Sequence, residues 1–275
     1  MWTLSGFADE IDADLATQCA VLSELGLTHL ELRSAWGSNV LDLDDAQVER
    51  ARAVLRDHDI AVSSIGSPIG KIQVDDPFEP HLVRMDRALE VAERLGAPFI
   101  RVFSFFLAPE QSPDAVRDEV VRRMAALAAR AEERGVVLLH ENEKAIFGDV
   151  PERVLDLVTA VGSPALRLAW DPANYVQVGV DPFPEAYALL RPYVDYIQIK
   201  DAVRGSGTVV VAGEGDGRIP ETVHALREDG YDGFFSMEPH LAEAHHLGGF
   251  SGPDGFRRAT RTFMAILDAE GVTYR

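Results

Sequence analysis

Five short stretches of the chain end in side chains able to bind a cation or move a proton: Glu31-Leu32-Arg33, His140-Glu141-Asn142-Glu143-Lys144, Asp171-Pro172-Ala173-Asn174, Gln198-Ile199-Lys200-Asp201 and Glu238-Pro239-His240. Each closes a run of apolar, β-branched or aromatic residues. Carboxylates brought together repel one another unless a cation or protons lie between them. If the fold gathers these stretches in one place, cation binding or proton transfer is the chemistry to expect there.

The surrounding pattern supplies the means of gathering them. Eight segments read as strands: residues 3–8, 29–33, 61–67, 99–106, 136–142, 166–174, 196–202 and 234–240. Helical periodicity fills the gaps, as where Leu15, Cys19 and Leu22 share a face, and likewise Val116, Val120, Met124 and Leu127. Gly26, Gly96, Gly135 and Gly230 stand where a helix ends and the next strand begins, a place that favours the left-handed conformation. Eight strand–helix alternations predict an α/β fold, a (β/α)8 TIM barrel of eight parallel strands with outer helices, as one domain over residues 1–275. An open doubly wound sheet is the rival. It usually carries a glycine-rich turn after its first strand, and here Asp9-Glu10-Ile11-Asp12 follows instead. In a barrel the working residues sit at the carboxyl ends of strands, which is where the five stretches fall.

Composition narrows the partners. Hydrophobic residues make up 47% and charged residues 26%, the balance of a globular protein with a sizeable core. The formal charge of −19 opposes binding to phosphate backbones and anionic membranes, so neither nucleic acid nor membrane is expected as a partner. No apolar run approaches bilayer length, and the N-terminus lacks the basic stretch of a leader, so a cytoplasmic location is expected. Cys19 is the single cysteine and reads as a small buried core residue.

The segments Val137-Leu138-Leu139-His140-Glu141-Asn142, Trp170-Asp171-Pro172-Ala173-Asn174, Ile197-Gln198-Ile199-Lys200-Asp201 and Ser236-Met237-Glu238-Pro239-His240 resemble the xylose-isomerase-like barrels. That family includes sugar isomerases, ketose epimerases, inosose dehydratase and endonuclease-IV-type repair enzymes. The resemblance runs along essentially the whole chain. It implies one divalent metal ion held by Glu141, Asp171, Gln198 and Glu238. Gln198 stands where the family usually has histidine. Three carboxylates and an amide oxygen form an all-oxygen set, which favours Mn²⁺, then Mg²⁺, over Zn²⁺. Glu141 and Glu238 are the implied catalytic acid–base pair. Glu31, Arg33, Asn174, Lys200 and His240 are candidates to bind substrate.

The expected activity is a metal-dependent isomerisation or epimerisation of a ketose or keto-sugar by enediolate proton transfer, with a small carbohydrate as partner; the resemblance also allows a homodimer. The same intermediate would let a dehydratase expel water. An abasic-site endonuclease needs a histidine-rich zinc site and a basic DNA face, and a purely binding barrel has no need of the acids.

Several residues carry plainer readings beside these. Each acid also reads as a helix cap or the partner of a base, and Lys200-Asp201 reads as a surface pair. Strand alternation turns His140 away from Glu141, to pack between barrel and helix, while Glu143 falls on the side of Glu141 and is expected to support it or to pair with Lys144 or Arg33. Trp36 fits an apolar wall or simple packing. His245 and His246 are expected in solvent. The glycines of 205–217 and 248–255 offer either a phosphate cradle or a lid, with Glu214 and Asp216 opposing an anion.

Overall fold

The computed structural model describes residues 1–241 and 251–275. Eight parallel strands alternate with helices: β1 (Thr3–Gly6), β2 (His29–Leu32), β3 (Ala61–Ile65), β4 (Phe99–Val102), β5 (Val137–Glu141), β6 (Leu166–Trp170), β7 (Val194–Ile199) and β8 (Phe234–Met237). They form one sheet in the order β1-β8-β7-β6-β5-β4-β3-β2. The strands at its two ends, β1 and β2, lie against each other. The sheet is thus a nearly closed barrel, as the alternation predicts, with a seam at β1 and β2 in place of an eighth ladder.

The helices are α1 (Leu15–Glu24), α2 (Asp45–Asp57), α3 (Glu79–Leu95), α4 (Pro113–Glu133), α5 (Pro151–Val161), α6 (Pro172–Gln177), α7 (Tyr187–Leu190), α8 (Ile219–Glu228) and α9 (Gly252–Ala269). Local sequence starts and stops them. The Asp14 carboxylate accepts from Thr17 N at 3.1 Å, and Asp44 with Gln47 forms a reciprocal capping box on α2. Pro113 and Pro151 open α4 and α5, where a missing N–H costs nothing. Gly26, Gly96, Gly135 and Gly230 all have positive φ, as expected of glycines that end helices.

Strand alternation divides the core in two. Outward-facing Leu30, Ile100, Leu138 and Leu168 pack beneath the helices together with Cys19, Met124 and Leu127. Burial pushes the Cys19 thiol up to about 12, so it is an inert core group. Inside the barrel, Phe99, Leu139, Ala169, Tyr196 and Phe234 fill the amino-terminal end, with ring centroids of Tyr196 5.9 Å from Phe99 and 5.7 Å from Phe234. Next comes a hydroxyl layer: Ser63 Oγ lies 2.6 Å from Ser5 Oγ and 2.8 Å from the Tyr196 hydroxyl. Two residues further along β4, β5 and β7 the same inward face carries Arg101, Glu141 and Gln198. The barrel interior therefore changes from apolar to hydroxyl to charged along its axis. No helix among the described residues is long and apolar enough to cross a membrane.

His140 faces out of the barrel, as alternation predicts, and is buried beneath the turn at Gly148 with neither ring nitrogen hydrogen-bonded. Burial pushes its imidazole down to about 3. The unfolded chain takes up a proton near pH 6.5 that the folded state refuses. The contribution of His140 is complete above that pH and is lost as pH falls toward 3. The unfolding free energies of wild type and His140→Leu, from urea titrations, should differ by a constant above pH 7. Below pH 6.5 the difference should move in the variant's favour by up to about 1.4 kcal/mol per pH unit. A flat difference down to pH 4.5 would show that the folded state accommodates the charged ring.

Candidate metal and acid–base site

Glu141 ends β5, Asp171 follows β6, Gln198 lies in β7 and Glu238 follows β8. These four strands are consecutive neighbours in the sheet, so adjacent strand ends deliver all four side chains to one place. Glu141, Asp171 and Glu238 each offer an oxygen, all within 4.8 Å of one another, and all three residues are buried. Gln198 is fully buried; its Nε2 donates to Glu141 Oε2 at 3.1 Å, and its Oε1 has no hydrogen-bond partner among the described residues. Asn142 locks the neighbouring backbone: its Nδ2 donates to Asp171 O at 2.9 Å, and its Oδ1 accepts from Asp171 N at 3.0 Å. Asn174 Nδ2 donates to Glu141 Oε1 at 3.1 Å and to Asn142 O at 2.8 Å, which places Asn174 as a support for Glu141. Asp171 does cap α6, Oδ1 accepting from Asn174 N at 3.0 Å, but Oδ2 faces into the site.

Four basic groups meet these acids. Lys200 Nζ lies 2.6 Å from Asp171 Oδ2 and 3.1 Å from Glu238 Oε2. Arg101 reaches from β4 to within 3.1 Å of Glu141 Oε2, its guanidinium lying against the rings of Phe7 and Phe103. Arg33 donates to Glu238 Oε1 at 2.9 Å and is held by both oxygens of Asp9. His240 Nδ1 lies 3.0 Å from Glu10 Oε1, and Glu10 Oε2 accepts from His240 N and Ser251 Oγ.

Burial opposes ionisation of Glu238, but Lys200, His240, Arg33 and Arg101 outweigh it and hold the carboxyl well below its usual range. Burial raises Glu141 and Asp171, against the opposing pull of Arg101 on the first and Lys200 on the second. Lys200 is charged: burial disfavours its ammonium, but Asp171, Glu238 and Glu141 together hold it well above its usual range. Glu141, Asp171 and Glu238 thus stand side by side in a buried cluster where their ionisation needs cations close by. A divalent cation fits three carboxylate oxygens this close together, and the Gln198 oxygen, without a hydrogen-bond partner among the described residues, fits a fourth oxygen ligand.

A family model of the xylose isomerase-like TIM barrel matches residues 19–264. The chain belongs to this family. It is 36% identical over 146 residues to 2-epi-5-epi-valiolone 7-phosphate 2-epimerase of Actinoplanes sp., an alignment spanning 51% of this chain and 50% of that relative. Among solved structures, a xylose isomerase-like TIM barrel protein of Mycobacterium smegmatis in complex with magnesium is 22% identical, with a TM-score of 0.73 over 98% of this chain and 97% of that one. The IOLI protein with a zinc atom is 15% identical, with a TM-score of 0.80 over 98% and 99% of the two chains. Identities this low speak for the fold alone.

In this xylose isomerase-like barrel, Glu31 is buried on the inward face with neither oxygen hydrogen-bonded, and burial raises it to about 7 against the pull of Arg101. Glu143 pairs with Lys71 at 3.3 Å rather than with Lys144 or Arg33, because Lys71 comes to the rim over the Phe103 ring. Trp36 donates to Asp14 and stacks under Arg50, a packing role. His245, His246, Gly248 and Gly249 lie outside the described residues, while Gly252 and Gly255 belong to the first turn of α9. Three functional candidates escaped the strand-end reading. Arg101 sits inside an apolar strand, and its signal is a base at the inward position two residues after Phe99. Asp9 and Glu10 were visible only as the acids that follow β1.

Gly213, Gly215 and Gly217, in the loop after β7, turn their N–H groups to a side chain of the protein itself. Lys200 and Asp201 are both buried, and Asp201 accepts from the N–H groups of Gly213 at 2.9 Å, Gly215 at 3.1 Å, Gly217 at 2.8 Å and its neighbour Ala202 at 2.8 Å. A Cβ at Gly217 would stand 2.6 Å from Asp201 Oδ1, so the loop needs glycine to approach. The anion in this cradle is a side chain of the protein itself. Asp201→Ala should cost at least about 2 kcal/mol in urea denaturation, since hydrogen bonds to a charged group are worth about 1.5–3 kcal/mol each and several N–H groups would lose theirs. An unchanged midpoint would show that these contacts hold nothing in place.

Proposed function

We propose that this protein is a divalent-metal-dependent isomerase or epimerase of a ketose or keto-polyol. The observation that carries the reading is the convergence of Glu141, Asp171 and Glu238 in one buried cluster, and the partial likeness to an epimerase supports it. Glu141, Asp171, Glu238 and Gln198 Oε1 would hold the metal, Mn²⁺ or Mg²⁺ being the ions suited to an all-oxygen set. When bound, it would polarise a substrate carbonyl and the neighbouring hydroxyl, making the shared C–H more acidic.

The side chains divide the proton work. Glu238, fixed by Arg33, is the group to accept the proton from carbon. Glu141, the other glutamate of the same buried cluster, is the group to return it. Two carboxyls within one site are what such an exchange requires. Asn174 and Arg101 fix Glu141, and Arg33 fixes Glu238. Glu31, Lys200 and His240 would meet substrate oxygens.

Turnover of a ketose in heavy water should place deuterium on the carbon beside the carbonyl. Glu141→Gln and Glu238→Gln, each first shown to bind metal, should slow turnover by about 10²-fold or more. Label in the product at unchanged mass otherwise indicates an isomerase or epimerase, and loss of one water indicates a dehydratase. Full activity of Glu238→Gln with label still entering would refute the two-glutamate scheme. Gln198→His should leave the metal bound and activity within a few-fold, if Gln198 serves only as a ligand.

A further inference from the structure

Lys200 does something that a substrate-binding residue need not do. Its ammonium lies against the carboxylate oxygens that face into the site: Asp171 Oδ2 at 2.6 Å and Glu238 Oε2 at 3.1 Å. The other oxygens of the same two carboxylates are engaged elsewhere, Asp171 Oδ1 by the N–H of Asn174 and Glu238 Oε1 by Arg33. The oxygens under Lys200 are thus the ones a metal ion would take. Nearby, Gln198 Oε1 is buried without a partner, a ligand atom with nothing to bind in this arrangement.

A divalent ion and an ammonium compete for Asp171 Oδ2 and Glu238 Oε2. Metal–oxygen bonds are roughly 2.0–2.1 Å for Mg²⁺, and two cations sharing those oxygens would be driven apart in a buried site. The backbone beside Lys200 is fixed by the Asp201 carboxylate in its cradle of loop amides, so any displacement falls on the lysine stem. That stem is long and flexible enough to move its charge without moving the strand.

We propose that Lys200 is an exchangeable counter-cation: its ammonium bridges Asp171 and Glu238 while the site holds no metal, and leaves both when a divalent ion binds. The inference rests on the metal-dependent reading above. It gives Lys200 two positions. In the first it keeps the carboxylates from repelling one another, and in the second it is freed, at the mouth of the same site, to meet a substrate oxygen.

The test is calorimetric titration of Mn²⁺ into chelator-stripped wild type, Lys200→Met and Arg33→Met. Lys200→Met should bind Mn²⁺ at least about 5-fold more tightly than wild type, the lower end of ordinary coupling between ligands competing through one protein. Arg33→Met also removes a positive charge beside Glu238 but vacates a different oxygen, so its gain should be clearly smaller. Equal gains in the two variants would mean simple charge removal and would overturn the proposal, as would unchanged or weaker binding by Lys200→Met. Should Lys200→Met fail to fold, crystal structures of stripped and Mn²⁺-loaded wild type decide. Loading should carry Nζ out of hydrogen-bond distance of both carboxylates, and an ammonium still bridging them beside bound Mn²⁺ would overturn the idea. A wild type that binds none of Mn²⁺, Mg²⁺ or Zn²⁺ defeats the metal reading itself, a result distinct from failure of the Lys200 variant alone.

Discussion

Everything at the carboxyl end of this barrel answers to one constraint: carboxylates buried side by side must be neutralised. An isolated ionised carboxyl deep in a protein is expensive, and a cluster of them is worse unless cations and hydrogen bonds compensate. Here Glu141, Asp171 and Glu238 converge with Glu31 close by, and every basic group able to reach them is engaged. Arg101 sits between two aromatic rings, Arg33 is clamped by Asp9, His240 is set against Glu10, and Lys200 is drawn onto Asp171 and Glu238. Such an arrangement contributes little to stability for the charge it buries. Its rationale is chemical.

The supporting structure follows from that need. The lower barrel is filled by Phe99, Leu139, Tyr196 and Phe234, which excludes water from beneath the charged layer, and the hydroxyls of Ser5, Ser63 and Tyr196 form the transition between them. Asn142 spends its whole amide on the backbone at Asp171, and Asn174 spends its own on Glu141 and Asn142. Asp201 turns its carboxylate away from the site to gather the loop that follows β7. Polar groups that look catalytic in the sequence thus fall into those that face the site and those that hold the ones that do.

Much of this is legible in the amino-acid sequence. Strand–helix alternation and the helix-ending glycines are local signals, and they gave the barrel. The acids stood out because strand ends of a barrel converge, so position along a strand translates directly into position in space. Arg101 is a faint signal, a lone base on the inward face of an apolar strand; the pairing of β4 with β5 is what sets it against Glu141. The partner of Glu143 was missed because Lys71 lies far off in sequence. The Asp201 cradle is not legible because sequence shows a set of N–H groups without showing which anion takes them. What sequence could not supply, in each case, was a long-range electrostatic pairing.

The most direct test of the account is an anomalous-scattering map from crystals of the protein loaded with Mn²⁺. The account predicts a single strong peak per chain in contact with Glu141, Asp171 and Glu238, with Gln198 Oε1 turned toward it. A map with no peak among these residues, or a peak only at some other place on the molecule, would contradict it: the buried acids would then be neutralised by Lys200, Arg101 and Arg33 alone.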